Sequence, residues 1–333
     1  MKKTNSVVIS KHAVIGAGLA GLACANRLQT ANQTVAVFEK ARGTGGRLSS
    51  RHRLNATFDL GCQQLNASTH QFSQQLELWQ NKGWVASHNQ HTFYGLPRMS
   101  GLTRQLSNNL QLHLSTRIVQ LHKKADGWWL EDDSAAQHGP FQQVTLALPV
   151  AQALPLLAEH SLELTQQLEK AEHSPSWVAY FTLPKAIAVA ASPKIDNNTS
   201  QPLHRWTLLN NKPAQQGALQ KWVVEASTAW TQQHLDLTSA AAADKLFALW
   251  CNAAALEIPP QPLLLEAHRW LYAFTAKSLD VAYLQDLSQG LSVCGDYLSG
   301  RLEEGLSEGL ENQAEAAWLS GDKLGKKLTK VMQ

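Results

Sequence analysis

The stretch Ala13-Val14-Ile15-Gly16-Ala17-Gly18-Leu19-Ala20-Gly21-Leu22-Ala23 decides the fold. An apolar run meets three glycines spaced as GxGxxG, and small apolar residues continue beyond them. The spacing predicts a buried strand, a tight turn and a helix. Gly16 permits the turn, Gly18 lets backbone approach a pyrophosphate with Ala20 beside it, and Gly21 lets the helix pack closely on the strand. Free N–H groups at the helix start, and the positive end of its dipole, then hold phosphate. A second β-branched run, Thr34 to Phe38, follows and ends in Glu39. That acid stands about 18 positions after Gly21, near the ~20 expected of a carboxylate that binds ribose hydroxyls. A glycine turn also occurs in βαβ units that hold no ligand. Here strand, turn, helix, strand and acid follow in the right order, which marks a dinucleotide site.

The rest of the composition describes a soluble globular chain. A chain of 333 residues exceeds one core of usual size, so two domains are expected. With 44% hydrophobic and 17% charged residues the chain is globular rather than disordered. A net charge of +3 without a long basic block argues against a nucleic-acid partner. Cys24, Cys62, Cys251 and Cys294 are far apart and form no CxxC pair, so no metal site is expected and a reducing cytoplasm is the simpler compartment. Lys2 and Lys3 before the apolar Ala13–Ala25 run mimic a signal peptide, but cleavage there would destroy the dinucleotide fingerprint. No other apolar run reaches the ~18–20 residues of a membrane span.

Directly after Glu39 comes Lys40-Ala41-Arg42-Gly43-Thr44-Gly45-Gly46-Arg47. Its glycines let backbone lie against a ligand, and Arg47 offers planar donors suited to phosphate. Following strand and acid at once, this loop favours a flavin dinucleotide over a nicotinamide one. Ala56 to Gln64 reads as a strand ending in a glycine turn, with Gln63 and Gln64 either polar cofactor contacts or ordinary loop residues. His70 to Trp84 and Gly101 to Asn109 have helical spacing. Leu112 to Leu130 alternates like a β-hairpin, and Phe141 to Leu148 is a further buried strand. The middle of the chain carries amphipathic helices at Leu154–His173 and Ala240–Ala255. Strands are expected around Trp177–Leu183, Leu203–Asn210, Trp222–Ala226 and Ala267–Ala273. Most of the eleven tryptophans fall between Trp79 and Trp270, as core or cavity wall, and are compatible with a stacking pocket for a flat ligand. Gly290 to Asp296 is a short strand ending in Gly295-Asp296. Asp296 serves there either as a ligand for a polyol chain or as a helix N-cap.

In this order the pieces resemble the bacterial renalase-like flavoproteins of the flavin amine oxidase superfamily. The matching segments are Val14–Ala23, Lys40–Arg51, Asp59–Gln63, Gly95–Ser100, Ala267–Ala273, Cys294–Asp296 and Ala317–Gly321. The resemblance implies an α/β fold: a Rossmann-like FAD-binding domain with a β-hairpin insert, and an α+β substrate domain covering the flavin. Residues 1–65, 100–150 and 285–333 would form the first, and 66–99 and 151–284 the second. It also implies oxidation of dihydronicotinamide isomers to NAD(P), with dioxygen reoxidising FAD to give hydrogen peroxide. Carried over by position, Glu39, with Lys40, would hold the adenosine ribose and Arg47 the pyrophosphate region. Gln63 and Gln64 would lie near the flavin, Ile118 would offer backbone to adenine, and Gly295-Asp296 with Leu302 would hold the ribityl–phosphate part. Arg98, Met99, His268, Trp270 and Arg301 would face the substrate, supported by Arg269 and Tyr272.

The chain departs from the family at three places. Gln64 stands where a tyrosine is usual, Arg98 replaces a glycine, and Glu304–Glu315 is inserted before the last helix. Hydride transfer from a dihydronicotinamide needs orientation and exclusion of water rather than a protein base. No nucleophile–base pair stands out, so no catalytic side chain is expected. Two other readings stay open: a flavin amine oxidase or desaturase acting on another small molecule, for which Lys185, Lys221 and Lys277 are available, and a flavin-binding protein disabled for catalysis.

Overall fold

The computed structural model describes residues 11–184, 189, 201–298 and 310–331. In chain order it opens with strand β1 (His12–Ile15), helix α1 (Leu19–Thr30) and strand β2 (Val35–Glu39). Then come β3 (Ser50–Arg53), β4 (Ala56–Asp59), β5 (Leu65–Asn66), α2 (His70–Asn81), β6 (Val85–Ser87), β7 (Thr92–Gly95) and α3 (Met99–Ser107). Strands β8 (Gln111–Leu114), β9 (Ile118–Lys124), β10 (Gly127–Asp132), β11 (Gln137–Phe141) and β12 (Gln143–Leu146) precede α4 (Val150–Leu157) and α5 (Leu162–Leu168). The middle holds β13 (Glu172–Pro184), β14 (Leu203–Leu208), β15 (Leu219–Ala226), α6 (Thr228–Gln233), α7 (Ser239–Ala253) and β16 (Leu264–Lys277). Strands β17 (Leu284–Asp286) and β18 (Leu291–Val293) and helix α8 (Leu310–Val331) complete it.

Two sheets organise the molecule. The first runs β17-β18-β12-β1-β2-β8, parallel except for its β17 edge. Its central strands are apolar on both faces because both are covered, as parallel sheets require. Val14 and Val37 pack with α1, α2, α3 and α8 on one side. Ala13, Ile15, Ala36 and Phe38 pack on the other with the β9–β11 sheet, α4 and α5. Strand β1 lies between β2 and β12. The chain therefore departs to opposite sides of β1, and a crevice opens outside the carboxyl ends of these strands, the usual ligand position in such sheets.

The second sheet, β14-β15-β13-β16, is antiparallel. One face buries Trp177, Phe181, Trp222 and Val224 against Leu246, Phe247 and Trp250 of α7. The other packs Val178, Tyr180 and Val223 against Phe58 and Leu60 of the β3–β4 hairpin region. Alternation along β13 thus divides apolar side chains between a helix and the neighbouring sheet.

The α/β class and the Rossmann-like unit expected from sequence are present, with several local differences. Residues 111–114 do not belong to a hairpin: they add a parallel strand beside β2, and β9 pairs with β10 instead. The helix expected over 154–173 is two short helices and the start of β13. Ser161 interrupts it, accepting from the Leu164 N–H as the N-cap of α5. Trp79, Trp128, Trp177 and Trp250 are fully buried core rather than walls of a stacking pocket.

Glycine is obligatory at two points of the opening turn. Gly16 has φ of 108°, and a Cβ there would lie 2.4 Å from the Ala147 carbonyl oxygen. A Cβ on Gly21 would lie 2.0 Å from the Gly16 oxygen, so α1 can approach β1 only without a side chain. At the opposite end of β1, His12 is 1% exposed and neither ring nitrogen has a partner among the described residues. Burial, aided by Lys11, lowers its pKa to about 4. The folded state then holds a neutral imidazole where the unfolded chain binds a proton below about 6.5. Stability is complete above that value and falls as pH drops toward 4. Urea unfolding across this range is expected to show about 1.4 kcal/mol lost per pH unit from this group, and His12→Phe to remove that part of the slope.

Candidate functional site

A cavity of about 630 Å³ occupies the crevice at the carboxyl ends of β1, β2 and β12 and extends to β16. Gly16, Gly18, Leu19 and Ala20 line its floor. Gly18 is the N-cap of α1 and supplies no side chain to the first helical turn, so the amides there are left for a ligand. A Cβ built on Gly18 would meet nothing within 4 Å. The protein's own atoms thus leave the space beside Gly18 open to whatever fills the cavity. That cradle fits a pyrophosphate.

At the end of β2, Glu39 fastens the turn. Its Oε2 accepts from the Ala17 N–H at 2.9 Å and its Oε1 from the Ala41 N–H at 2.9 Å. Each oxygen keeps a further acceptor direction, and Glu39 lines the cavity with Lys40, Arg117, Ile118 and Val119. The Lys40 ammonium donates to Gln152 Oε1 at 3.1 Å. Burial, with Arg117 nearby, lowers its pKa, and Glu39 opposes the shift.

Arg47 and Asp296 meet in the middle of the cavity wall as a two-pronged ion pair, with Arg47 Nη1 2.8 Å from Asp296 Oδ2 and Nη2 on Oδ1. Thr275 donates to the same Oδ2, and Arg47 Nη1 also reaches the Ala273 carbonyl and Gln313 Oε1, both at 3.2 Å. Burial alone would raise the Asp296 pKa, but the Arg47 charge and hydrogen bonds bring it down to about 2. The two residues that sequence assigns to separate parts of a cofactor therefore hold one another.

The far wall is β16. Trp270 donates from Nε1 to the Leu60 carbonyl at 3.3 Å, and His268 meets its ring edge-on at 4.6 Å between centroids. Burial, then the Arg51 charge, lowers the His268 pKa to about 4, so this imidazole is neutral near pH 7. Arg269, Leu271 and Tyr272 also line the wall. Sequence reasoning missed the opposite lining, Leu148, Pro149, Pro155 and Leu156. Its signal was the turn that follows β12, the strand on the other side of β1. Tyr297, also missed, lines the cavity and donates to the Leu148 carbonyl at 2.8 Å.

Other expected positions lie apart. Met99 is fully buried, its sulfur accepting from the Gly95 N–H, and Arg98 donates to Ser100 Oγ at 3.1 Å; neither lines the cavity. Gln64 bonds Asn66. Gln63 lies behind the cavity, 3% exposed, with neither amide atom partnered among the described residues. Its carbonyl accepts from Lys212, a lysine missed by sequence whose buried ammonium pairs with Asp59 at 3.1 Å. Lys221 is likewise buried, donating to Gln215. Arg301 and Leu302, and residues 304–309 of the 304–315 insertion, lie outside the described residues. Burial pushes the Cys24 and Cys62 thiols up to about 12, so neither is a thiolate nucleophile near neutrality.

Comparisons with known proteins agree with this geometry. Residues 14–81 match the model of the NAD(P)-binding Rossmann-like domain family. A stretch of 51 residues is 45% identical to 4,4'-diapophytoene desaturase (4,4'-diaponeurosporene-forming) of Staphylococcus aureus, covering 15% of this chain and 10% of that protein. The match thus spans about a tenth of those curated relatives. The whole fold is similar to a structure assigned as a protoporphyrinogen oxidase from Exiguobacterium sp. 255-15, with a TM-score of 0.75 and 11% identity over 97% of this chain and 99% of that one. Putrescine oxidase bound to putrescine gives a TM-score of 0.68 with 10% identity over 98% and 100%. No helix among the described residues is long and apolar enough to cross a membrane.

Two substitutions separate ligand contact from architecture. Gly18→Val is expected to fold with near-unchanged stability but to lose at least about a hundredfold in affinity for added FAD, read by flavin fluorescence quenching; comparable destabilisation would make Gly18 architectural. Arg47→Ala strands the Asp296 carboxylate and is expected to cost about 3–5 kcal/mol. Adding Asp296→Asn is expected to recover part of that loss in denaturant unfolding.

Proposed function

We propose that this chain is an FAD-dependent oxidoreductase whose cavity holds the flavin dinucleotide along α1, β2 and Arg47, with a small-molecule substrate between it and β16. One observation carries the reading: a single cavity joins the glycine cradle and Glu39 to an aromatic and histidine-bearing wall. Its volume of about 630 Å³ and mainly apolar lining suit a ligand with a flat heteroaromatic part. Residues 1–65, 100–150 and 285–333 would form the FAD-binding part, and 66–99 and 151–284 the substrate part. Glu39 would accept the adenosine ribose hydroxyls, the α1 amides would bind phosphate, and Ile118 would lie along the adenine. Arg47 reaches this region already paired, so it would present the unused edge of its guanidinium while Asp296 fixes its direction.

The substrate reading is oxidation of a dihydronicotinamide isomer to NAD(P), with dioxygen taking the electrons to give hydrogen peroxide. FAD, when bound, supplies the hydride acceptor. The chain's part is to stack, orient and keep water out: Trp270 is anchored through Leu60, and Tyr272 and Leu271 close the same wall. The neutral His268 adds no cation that would repel a substrate becoming positively charged. Four buried, unpaired cysteines support a reducing cytoplasmic setting.

A second reading, amine oxidation, is favoured by Lys212. Burial lowers its pKa, with Asp59 opposing, and it adjoins Gln63. The likeness to putrescine oxidase supports the same chemistry. The deciding measurement is the visible spectrum of purified protein under argon. Rapid bleaching of a yellow band by mixed dihydronicotinamide dinucleotide isomers, with return of the band in air, is expected. Bleaching by amines alone would select the second reading, and failure to bind any flavin would overturn both.

A further inference from the structure

Lys40 and Gln152 come from opposite sides of the crevice. Lys40 follows β2, and Gln152 lies in the first turn of α4, after β12. Strand β1 stands between β2 and β12, so the two segments leave the sheet two strand spacings apart, about 9–10 Å. Yet the Lys40 ammonium reaches Gln152 Oε1 at 3.1 Å. Both residues line the cavity. The bond therefore bridges the crevice beyond the carboxyl end of β1.

The surroundings of this bridge also face the cavity. Gln152, Pro155 and Leu156 all line it, and positions i, i+3 and i+4 share one helix face, so α4 turns that face inward. Leu148 and Pro149 precede them in the lining. Arg117, whose charge acts on Lys40, leads into Ile118 and Val119 of β9, which line the same space. Apolar walls thus stand on both sides of one polar bridge, an arrangement suited to a flat ring with a polar edge.

An ammonium has three N–H donors and no acceptor. It therefore fixes which end of the Gln152 amide faces it: the oxygen turns to Lys40, and the N–H₂ turns away. That N–H₂ donates to no group among the described residues. The bridge is a preset donor, and the partner it lacks is an in-plane acceptor. A purine ring nitrogen is such an acceptor. We propose that Gln152 donates from Nε2 to a ring nitrogen of adenine, with Lys40 as the positioning residue that holds the amide in the donating sense. This rests on the FAD reading for what lies at the Glu39 end of the cavity, and it adds how the adenine is recognised. Flavin mononucleotide has no adenine and does not engage the bridge.

The test is fluorescence titration of the full chain, freed of copurified flavin, with FAD and with flavin mononucleotide, and calorimetric titration with ADP. Gln152→Leu is expected to weaken FAD about tenfold, the loss of one hydrogen bond that leaves a ring nitrogen unpaired, and to leave flavin mononucleotide within about twofold. Gln152→Glu keeps the contact with Lys40 but offers no donor, and is expected to lose at least as much. Lys40→Met frees the amide to turn and is expected to weaken FAD about threefold. Added to Gln152→Leu, it is expected to cost nothing more, because the two act as one unit. ADP is expected to follow FAD through the series. Equal loss of both flavins, FAD affinity unchanged by Gln152→Leu, additive losses in the double variant, or no binding of any of the three probes by the wild type overturns the proposal. Should Gln152→Leu not yield folded protein, Gln152→Glu and Lys40→Met provide the same comparison. ADP binding that falls in the variants while neither flavin binds would sink the FAD reading and leave the adenine contact standing; FAD binding indifferent to Gln152 would do the reverse.

Discussion

The arrangement of the cavity depends on the buried pairing of Arg47 with Asp296. A carboxylate that is 2% exposed is costly to ionise unless a cation and further donors meet it. Arg47, held in the glycine loop after β2, and Thr275 of β16 provide them. The pair thereby ties together the loop after β2, the end of β18, the second sheet and the face of α8 that carries Gln313. These segments approach only if every one of them is in register, so the ion pair acts as a check on assembly as well as a contact.

Much of the first sheet was legible because its signals are local. Gly16, Gly21 and Glu39 are fixed by steric and hydrogen-bonding needs that spacing alone expresses. The second sheet was less legible. Its inner strands β13 and β15 are apolar on both faces, and the run from Leu154 to His173 has helical periodicity up to the point where β13 begins. Residues 111–114 look like half of a hairpin until tertiary pairing with β2 claims them. The same limit applies to the site. His268 and Trp270 could be chosen from their polar–aromatic alternation, and both reach the cavity. Lys212 and Tyr297 could not, because their meaning comes from neighbours that are remote in sequence. Met99 was misplaced for a similar reason: adjacency to a loop does not say which side of a helix turn faces the ligand, and Met99 points into the core.

The electrostatic design is consistent across the site. At the glycine-turn end Glu39, Lys40 and Arg47 each have partners, whereas the wall at β16 combines a neutral imidazole and aromatic groups with one cation, Arg269. The buried thiols add no competing nucleophile.

The first sheet is assembled from both halves of the chain. Strand β18 lies against β12, and Gly321 of α8 touches the backbone of Ala20 so closely that a Cβ would lie 2.0 Å from its oxygen. During synthesis on the ribosome, the opening βαβ unit emerges long before the strand and helix that close it. Until they arrive, Arg47 lacks its carboxylate and α1 exposes an apolar flank. The emerging polypeptide must therefore make β18 and α8 before the wall shared by Arg47 and Asp296 can form, an interval in which its exposed apolar surface invites protection by chaperones.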